Sequence, residues 1–174
     1  MPGYELINFK EKKEVDKLFK ESGVLISHGF DNLRKKYHVR EFEKKCSKYF
    51  KVKKCLAVSS GTAAIKIGLK ALGVREGDEV ITQAFNFIAT VEAILDLKAS
   101  PVIVNVNKTL NMDPKELEKS ITKKTKVVIP VHMLGFSAEM SEIIKICKRK
   151  NIKILEDNCE SVGAKYRNKS LGTL

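Results

Sequence analysis

No apolar run in these 174 residues approaches the ~18 positions that a membrane-spanning helix needs. The opening Met-Pro-Gly-Tyr-Glu-Leu-Ile-Asn has neither a basic n-region nor an apolar h-region, so no signal peptide is expected. The four cysteines, Cys46, Cys55, Cys147 and Cys159, make no C-x-x-C pair and have no histidine at zinc-site spacing. That argues against a metal centre and for a reducing, cytoplasmic compartment. The P-loop pattern G-x-x-x-x-G-K-[ST] and the dinucleotide pattern G-x-G-x-x-G are both missing, and no internal repeat or low-complexity linker interrupts the chain. Aromatic residues do not interleave with the lysine pairs at Lys12-Lys13, Lys35-Lys36, Lys44-Lys45, Lys53-Lys54 and Lys123-Lys124, as a single-strand binding groove requires. The formal charge of +12 is therefore read as a lysine-rich solvated surface, and nucleic acid is not an expected partner.

What remains is an ordinary soluble composition, 43% apolar and 31% charged, long enough for one domain with its own core. Apolar spacing predicts an amphipathic surface helix from about Lys10 to Glu21, a loop from Ser22 to Lys36, and a second helix from Val39 to Phe50 with Val39, Phe42, Cys46 and Tyr49 on one face. Short apolar runs then alternate with longer amphipathic ones. Leu56-Ala57-Val58 enters a turn and a helix from Thr62 to Leu72 that stops at Gly73. Strands are expected at 79–82, 101–106, 127–131 and 152–155, with helices at 87–97, from Asp113-Pro114 onward, and at 137–150. This alternation predicts an α/β fold, a mostly parallel sheet covered on both faces in three layers, α/β/α. Residues 1–38 form an N-terminal helix and loop segment, and residues 39–174 the sheet-bearing part. Tyr166 to Leu174 reads as the start of a hairpin with no covering helix after it, so the chain reads as the first part of something longer.

Three stretches have chemical potential. Ser60-Gly61-Thr62-Ala63 opens a helix, where free amides, the helix dipole and two hydroxyls suit a phosphate; an ordinary N-cap fits the same residues equally. Phe85-Asn86-Phe87 follows a strand, and one ring can stack on a flat cofactor, although alternate phenylalanines also serve as core. Asp157 and Glu160 follow the apolar run Ile152–Leu155, and a carboxylate there can keep a pyridine nitrogen protonated; the plain alternative is a helix cap or surface ion pair. Phosphate cradle, aromatic and acid, each expected at a strand's carboxyl end, together suit one cofactor: pyridoxal phosphate.

The stretches Ala57–Ala64, Gly77–Thr82, Phe85–Thr90, Ile121–Lys126, Pro130–Gly135 and Glu156-Asp157 resemble, in this order, the DegT/DnrJ/EryC1/StrS sugar aminotransferases. These are pyridoxal-phosphate enzymes of fold type I, and the resemblance covers about Val39 to Gly172, the N-terminal part of the large domain. It implies pyridoxal 5'-phosphate or pyridoxamine 5'-phosphate as cofactor, held by Ser60, Gly61, Thr62 and Ala63 at its phosphate, Phe87 on its ring, Asp157 at its nitrogen and Glu160 near its phenolic oxygen. It further implies a nucleotide-linked keto-sugar as substrate, glutamate as amino donor, and a homodimer or higher oligomer. His28, Arg34 and His132 are candidate substrate contacts by position. The family's Schiff-base lysine would lie beyond Leu174. Glutamine is usual where Glu160 stands, and an acid there is similar to the sugar 3-dehydratase branch, the alternative activity. A further alternative is a non-catalytic remnant or a subunit that needs a second polypeptide.

Overall fold

The computed structural model describes residues 6–22 and 37–174, in two compact units, Met1–Ala57 and Val58–Leu174. The first unit runs past α2 to residue 57, and the reason is local. Helix α1 (Phe9–Ser22) and helix α2 (His38–Phe50) belong to the first unit. Lys51 closes α2 in the left-handed conformation, with Val52 N–H donating to the Ser47 carbonyl at 3.0 Å. The chain then turns back, and Ala57 N–H donates to Glu43 Oε1 at 2.9 Å, so residues 52–57 stay with the helix that precedes them. His28 and Arg34 lie outside the described residues.

The second unit is built in the order α3 (Gly61–Ala71), β1 (Glu79–Gln83), α4 (Ala89–Leu95), β2 (Ser100–Val104), α5 (Pro114–Ser120), β3 (Thr125–Ile129), α6 (Met140–Lys150), β4 (Lys153–Ile154), then the strands β5 (Lys165–Tyr166) and β6 (Lys169–Ser170). The first four strands form one parallel sheet in the order β2-β1-β3-β4. Alternation along each strand divides the core. Val80, Val127 and Ile129 face Leu69 of α3 and Ile94 of α4, while Ile81 and Val128 face Leu117 of α5 and Met140, Ile143 and Ile146 of α6. This is the expected three-layer arrangement, with two helices on each face of the sheet.

Local chemistry sets the ends. Asp113 caps α5 by accepting from Lys115 N–H at 2.8 Å, with Pro114 at the first helical position. Gly73, at φ +86°, ends α3 where a side chain would be strained. Arg167 and Asn168, both at positive φ, make the two-residue turn between β5 and β6, which pair antiparallel as the sequence suggests. α4 begins two residues later than expected, because the Asn86 side chain takes the Phe87 N–H at 2.7 Å and keeps that residue in the turn.

Gly68 brings α3 close to Leu155, just past β4: a Cβ there would sit 3.1 Å from Leu155 Cδ1 and 3.2 Å from Cδ2. Gly68→Leu is expected to lower stability by about 1–3 kcal/mol through overpacking. Urea denaturation measures it, and an unchanged midpoint would show that α3 lifts away without loss.

Candidate active site

β1 is joined to β2 on one side, and the chain then crosses back to place β3 on the other, so the crossovers diverge between β1 and β3. In open α/β sheets ligands bind outside the carboxyl ends at such a point. The turn at 84–87 follows β1, Pro130–Gly135 follow β3, and Leu155–Asp157 follow β4. Helix α3 ends just before β1 begins, at the amino edge, so its first residues, Gly61 to Ala63, lie at the carboxyl edge as well. The expectation that this cradle follows a strand directly is not met, since residues 56–58 form no strand in the structure.

Ser60 is the N-cap of α3, and its Oγ accepts from Ala63 N–H at 3.1 Å. The plain capping role is thus present. Yet an added Cβ at Gly61 would meet nothing within 4 Å, so protein packing does not require glycine at this position. An open helix start with small residues and hydroxyls fits an incoming phosphate.

Phe87 is 72% exposed, which removes the core reading. Its turn is nevertheless fixed: Asn86 Nδ2 donates to Thr82 Oγ1 at 3.3 Å, and that hydroxyl donates to the Ile129 carbonyl at 3.1 Å. A bare aromatic ring on an anchored turn is suited to stacking.

Asp157 extends the parallel pairing past β4. Its N–H donates to the Pro130 carbonyl and its own carbonyl accepts from His132 N–H, both at 3.0 Å. Oδ1 accepts from Cys159 N–H at 3.1 Å, and the Cys159 thiol also lies against this carboxylate. The carboxylate is therefore oriented by its own turn and stays half-exposed, within reach of a ligand. Desolvation of the Cys159 thiol, reinforced by the carboxylates of Asp157 and Glu160, pushes that thiol up to about 11, so it stays protonated at neutral pH and is no nucleophile. Glu160 is exposed, and Oε2 accepts from Leu134 N–H at 3.4 Å.

His132, expected as a substrate contact, is held inside the protein. Its side chain is fully buried, and both ring nitrogens are engaged. Nδ1 accepts from Ala138 N–H at 3.2 Å, so the ring proton belongs on Nε2, which reaches Glu156 Oε2 at 3.1 Å. Polar, near the site and in a loop, it reads from sequence as a contact, but it is part of the frame beneath Asp157.

Four further polar residues build that frame. Buried Gln83 accepts from Met112 N–H and Val131 N–H through Oε1, at 3.1 and 3.2 Å, and donates from Nε2 to the Phe85 and Leu110 carbonyls, both at 3.1 Å. Asn111 Oδ1 accepts from Met133 N–H at 3.0 Å. Ser161 Oγ donates to the His132 carbonyl at 2.7 Å and accepts from Gly135 N–H at 3.0 Å. That clamp spans a strained tip, for Leu134 has φ 52° without being glycine. Glu156 accepts, besides His132, the N–H groups of Gly172 at 2.9 Å and Leu174 at 2.6 Å. Only Glu156 had a sequence signal, as one of two acids ending an apolar run. Among the described residues no group of three or more His, Cys, Asp or Glu side chains is placed to hold a metal.

The sequence profile of the DegT/DnrJ/EryC1/StrS aminotransferase family matches residues 19–174. GDP-perosamine synthase of Caulobacter vibrioides is 40% identical over 135 residues, covering 77% of this chain and 36% of the relative. The structure of NtdA from Bacillus subtilis with bound cofactor PMP matches with a TM-score of 0.82 and 36% identity, over 92% of this chain and 36% of that one. The E. coli GDP-4-keto-6-deoxy-D-mannose-3-dehydratase with bound hydrated PLP matches with a TM-score of 0.84 and 29% identity, over 97% of this chain and 43% of that one. The chain thus spans little more than a third of the curated relatives' length. Its sheet and helices are those of the fold type I large domain, incomplete in extent.

Proposed function

This chain belongs to the DegT/DnrJ/EryC1/StrS aminotransferase family of pyridoxal- or pyridoxamine-phosphate enzymes, and from that premise we propose that it is the cofactor-binding part of an enzyme that aminates a nucleotide-linked keto-sugar, with glutamate as donor. The observation that supports this best is the common carboxyl edge shared by the open start of α3, the exposed Phe87 ring and the oriented Asp157. Main-chain N–H groups of Gly61 and Thr62, with the hydroxyls of Ser60 and Thr62, bind the phosphate; Ala63 N–H joins them if Ser60 turns to the ligand. Phe87 covers one face of the ring and excludes water from it. The Asp157 carboxylate accepts the ring N–H and holds the proton there. Bound in this way, the cofactor supplies an electron-withdrawing protonated ring to the reacting carbon. His28 and Arg34 are assigned to the substrate side, and the working enzyme to a homodimer.

Pyridoxal phosphate added to the purified chain should shift the cofactor's absorbance. Asp157→Asn should weaken that binding about ten- to a hundredfold, the loss of one charged hydrogen bond. No spectral change with either pyridoxal or pyridoxamine phosphate, or identical titrations for the two proteins, would sink the proposal.

Glu160 favours a second reading, a nucleotide-sugar 3-dehydratase. A carboxylate beside the cofactor's phenolic oxygen is unfavourable unless one of the two is protonated or a cation intervenes, whereas the glutamine usual in aminotransferases carries no such charge. The match to the E. coli 3-dehydratase is in keeping with this. Sequencing past codon 174 to the motif position separates the readings: lysine supports transamination and histidine supports dehydration.

A further inference from the structure

Cys46 and Cys55 take no part in the chemistry above, and both lie in the first unit. Where the chain turns back after α2, Ser47 pairs with Val52 (Val52 N–H to the Ser47 carbonyl at 3.0 Å, Ser47 Oγ to the Val52 carbonyl at 3.1 Å), and Glu43 pairs with Ala57 at 2.9 Å. The return is antiparallel, and these two anchors bracket Cys46 on the helix and Cys55 on the returning segment. The two thiols fall opposite one another between the anchors and interact through their side chains, and both residues are half-buried. We propose that Cys46 and Cys55 form a paired-thiol modification site that reacts with small disulfides of the oxidised-glutathione class and closes to an intramolecular disulfide.

The exchange balances without any further reactant. The thiolate of one cysteine attacks a sulfur of the small disulfide, breaking its S–S bond and releasing one small thiolate. The second cysteine, after losing its proton, attacks the protein sulfur of the mixed disulfide and releases the other. Two cysteines are oxidised by two electrons, the small disulfide is reduced to two thiols, and the two cysteine protons end on those thiols. Lys44, Lys45, Lys48, Lys51, Lys53 and Lys54 flank the pair in sequence and favour approach of an anionic disulfide. Burial, then Cys46 and Glu43, push the Cys55 thiol up, which slows its own attack. Cys147 and Cys159 are no competitors: each thiol is pushed up to about 11 by burial, Cys159 by Asp157 and Glu160 as well. Closure staples residues 52–55 to α2, just ahead of the Ser59-Ser60-Gly61 turn in the chain.

The reduced chain is treated with oxidised glutathione at neutral pH, quenched with acid and digested with trypsin. Expected are the loss of two thiols, a chain mass lower by two hydrogens, and the cross-linked peptides 46–48 and 55–66. Cys46→Ser and Cys55→Ser should each keep a glutathione adduct on the remaining cysteine. In the urea-unfolded chain closure should be roughly tenfold slower, since the fold raises the effective concentration of one thiol at the other. Stable adducts at both cysteines without closure, equal closure rates folded and unfolded, or cross-links to Cys159 or between chains would overturn the proposal.

Discussion

Gln83→Leu is expected to lower the stability of the chain by about 3–5 kcal/mol, read from its urea midpoint. Leucine nearly fills the same space, so little of that loss comes from a cavity. It comes from four main-chain groups stranded at once: the N–H of Met112 and of Val131, and the carbonyls of Phe85 and Leu110. Each costs about 1–3 kcal/mol when left without a partner in the interior, and partial relaxation of the loops recovers some of it. A domain of this size holds only about 5–15 kcal/mol in total. Because the amide joins the turns after β1, β2 and β3, the variant should also lose cofactor binding in the fraction that still folds. A destabilisation below about 1 kcal/mol would mean that water replaces the amide, and that the turns are pinned elsewhere.

The second large effect is a dependence of stability on pH that runs through Glu156. Its side chain is 7% exposed. Burial alone pushes the carboxyl up, but the His132 ring and the N–H groups of Leu174 and Gly172 outweigh burial and hold it below the usual carboxylate value. A depressed acid contributes stability above its unfolded value, and that contribution disappears as pH falls through the folded value. Glu156→Ala should therefore cost about 3 kcal/mol at pH 7, by stranding three donors. The gap between the two proteins should narrow steadily below about pH 4. Urea titrations at pH 7 and pH 3 provide the comparison. A gap of the same size at both values would show that an ionised Glu156 is not what binds those donors.

Elements that depend on neighbours in sequence were legible before the structure. The Asp113-Pro114 cap and the stop at Gly73 each follow from the backbone preference of one or two residues. The layers follow from alternating apolar runs, and Asp157 from its place after one of them. What depended on distant partners was not legible. Gln83 is a polar residue ending a strand, and nothing near it announces that its partners are Leu110, Met112 and Val131. The setting of His132 was hidden for the same reason: its polarity is satisfied within the interior, by Ala138 and Glu156. Phe87 is the reverse case: spacing left core and stacking both open, and only the packing shows its ring outside.

The strand order also sets a timetable for synthesis. β1 is made first among the sheet strands yet ends in the interior of the sheet, with β2 on one side and β3 on the other. Its first neighbour emerges promptly, through the compact β1–α4–β2 unit. The second must wait for residues 105–129, roughly one to five seconds of ribosomal elongation. Throughout that interval the edge of β1 that will receive β3 has open main-chain donors and acceptors, and it competes for any extended segment nearby. A nascent chain of this fold is therefore most exposed to mispairing when β2 is already in place and β3 is still inside the ribosomal tunnel.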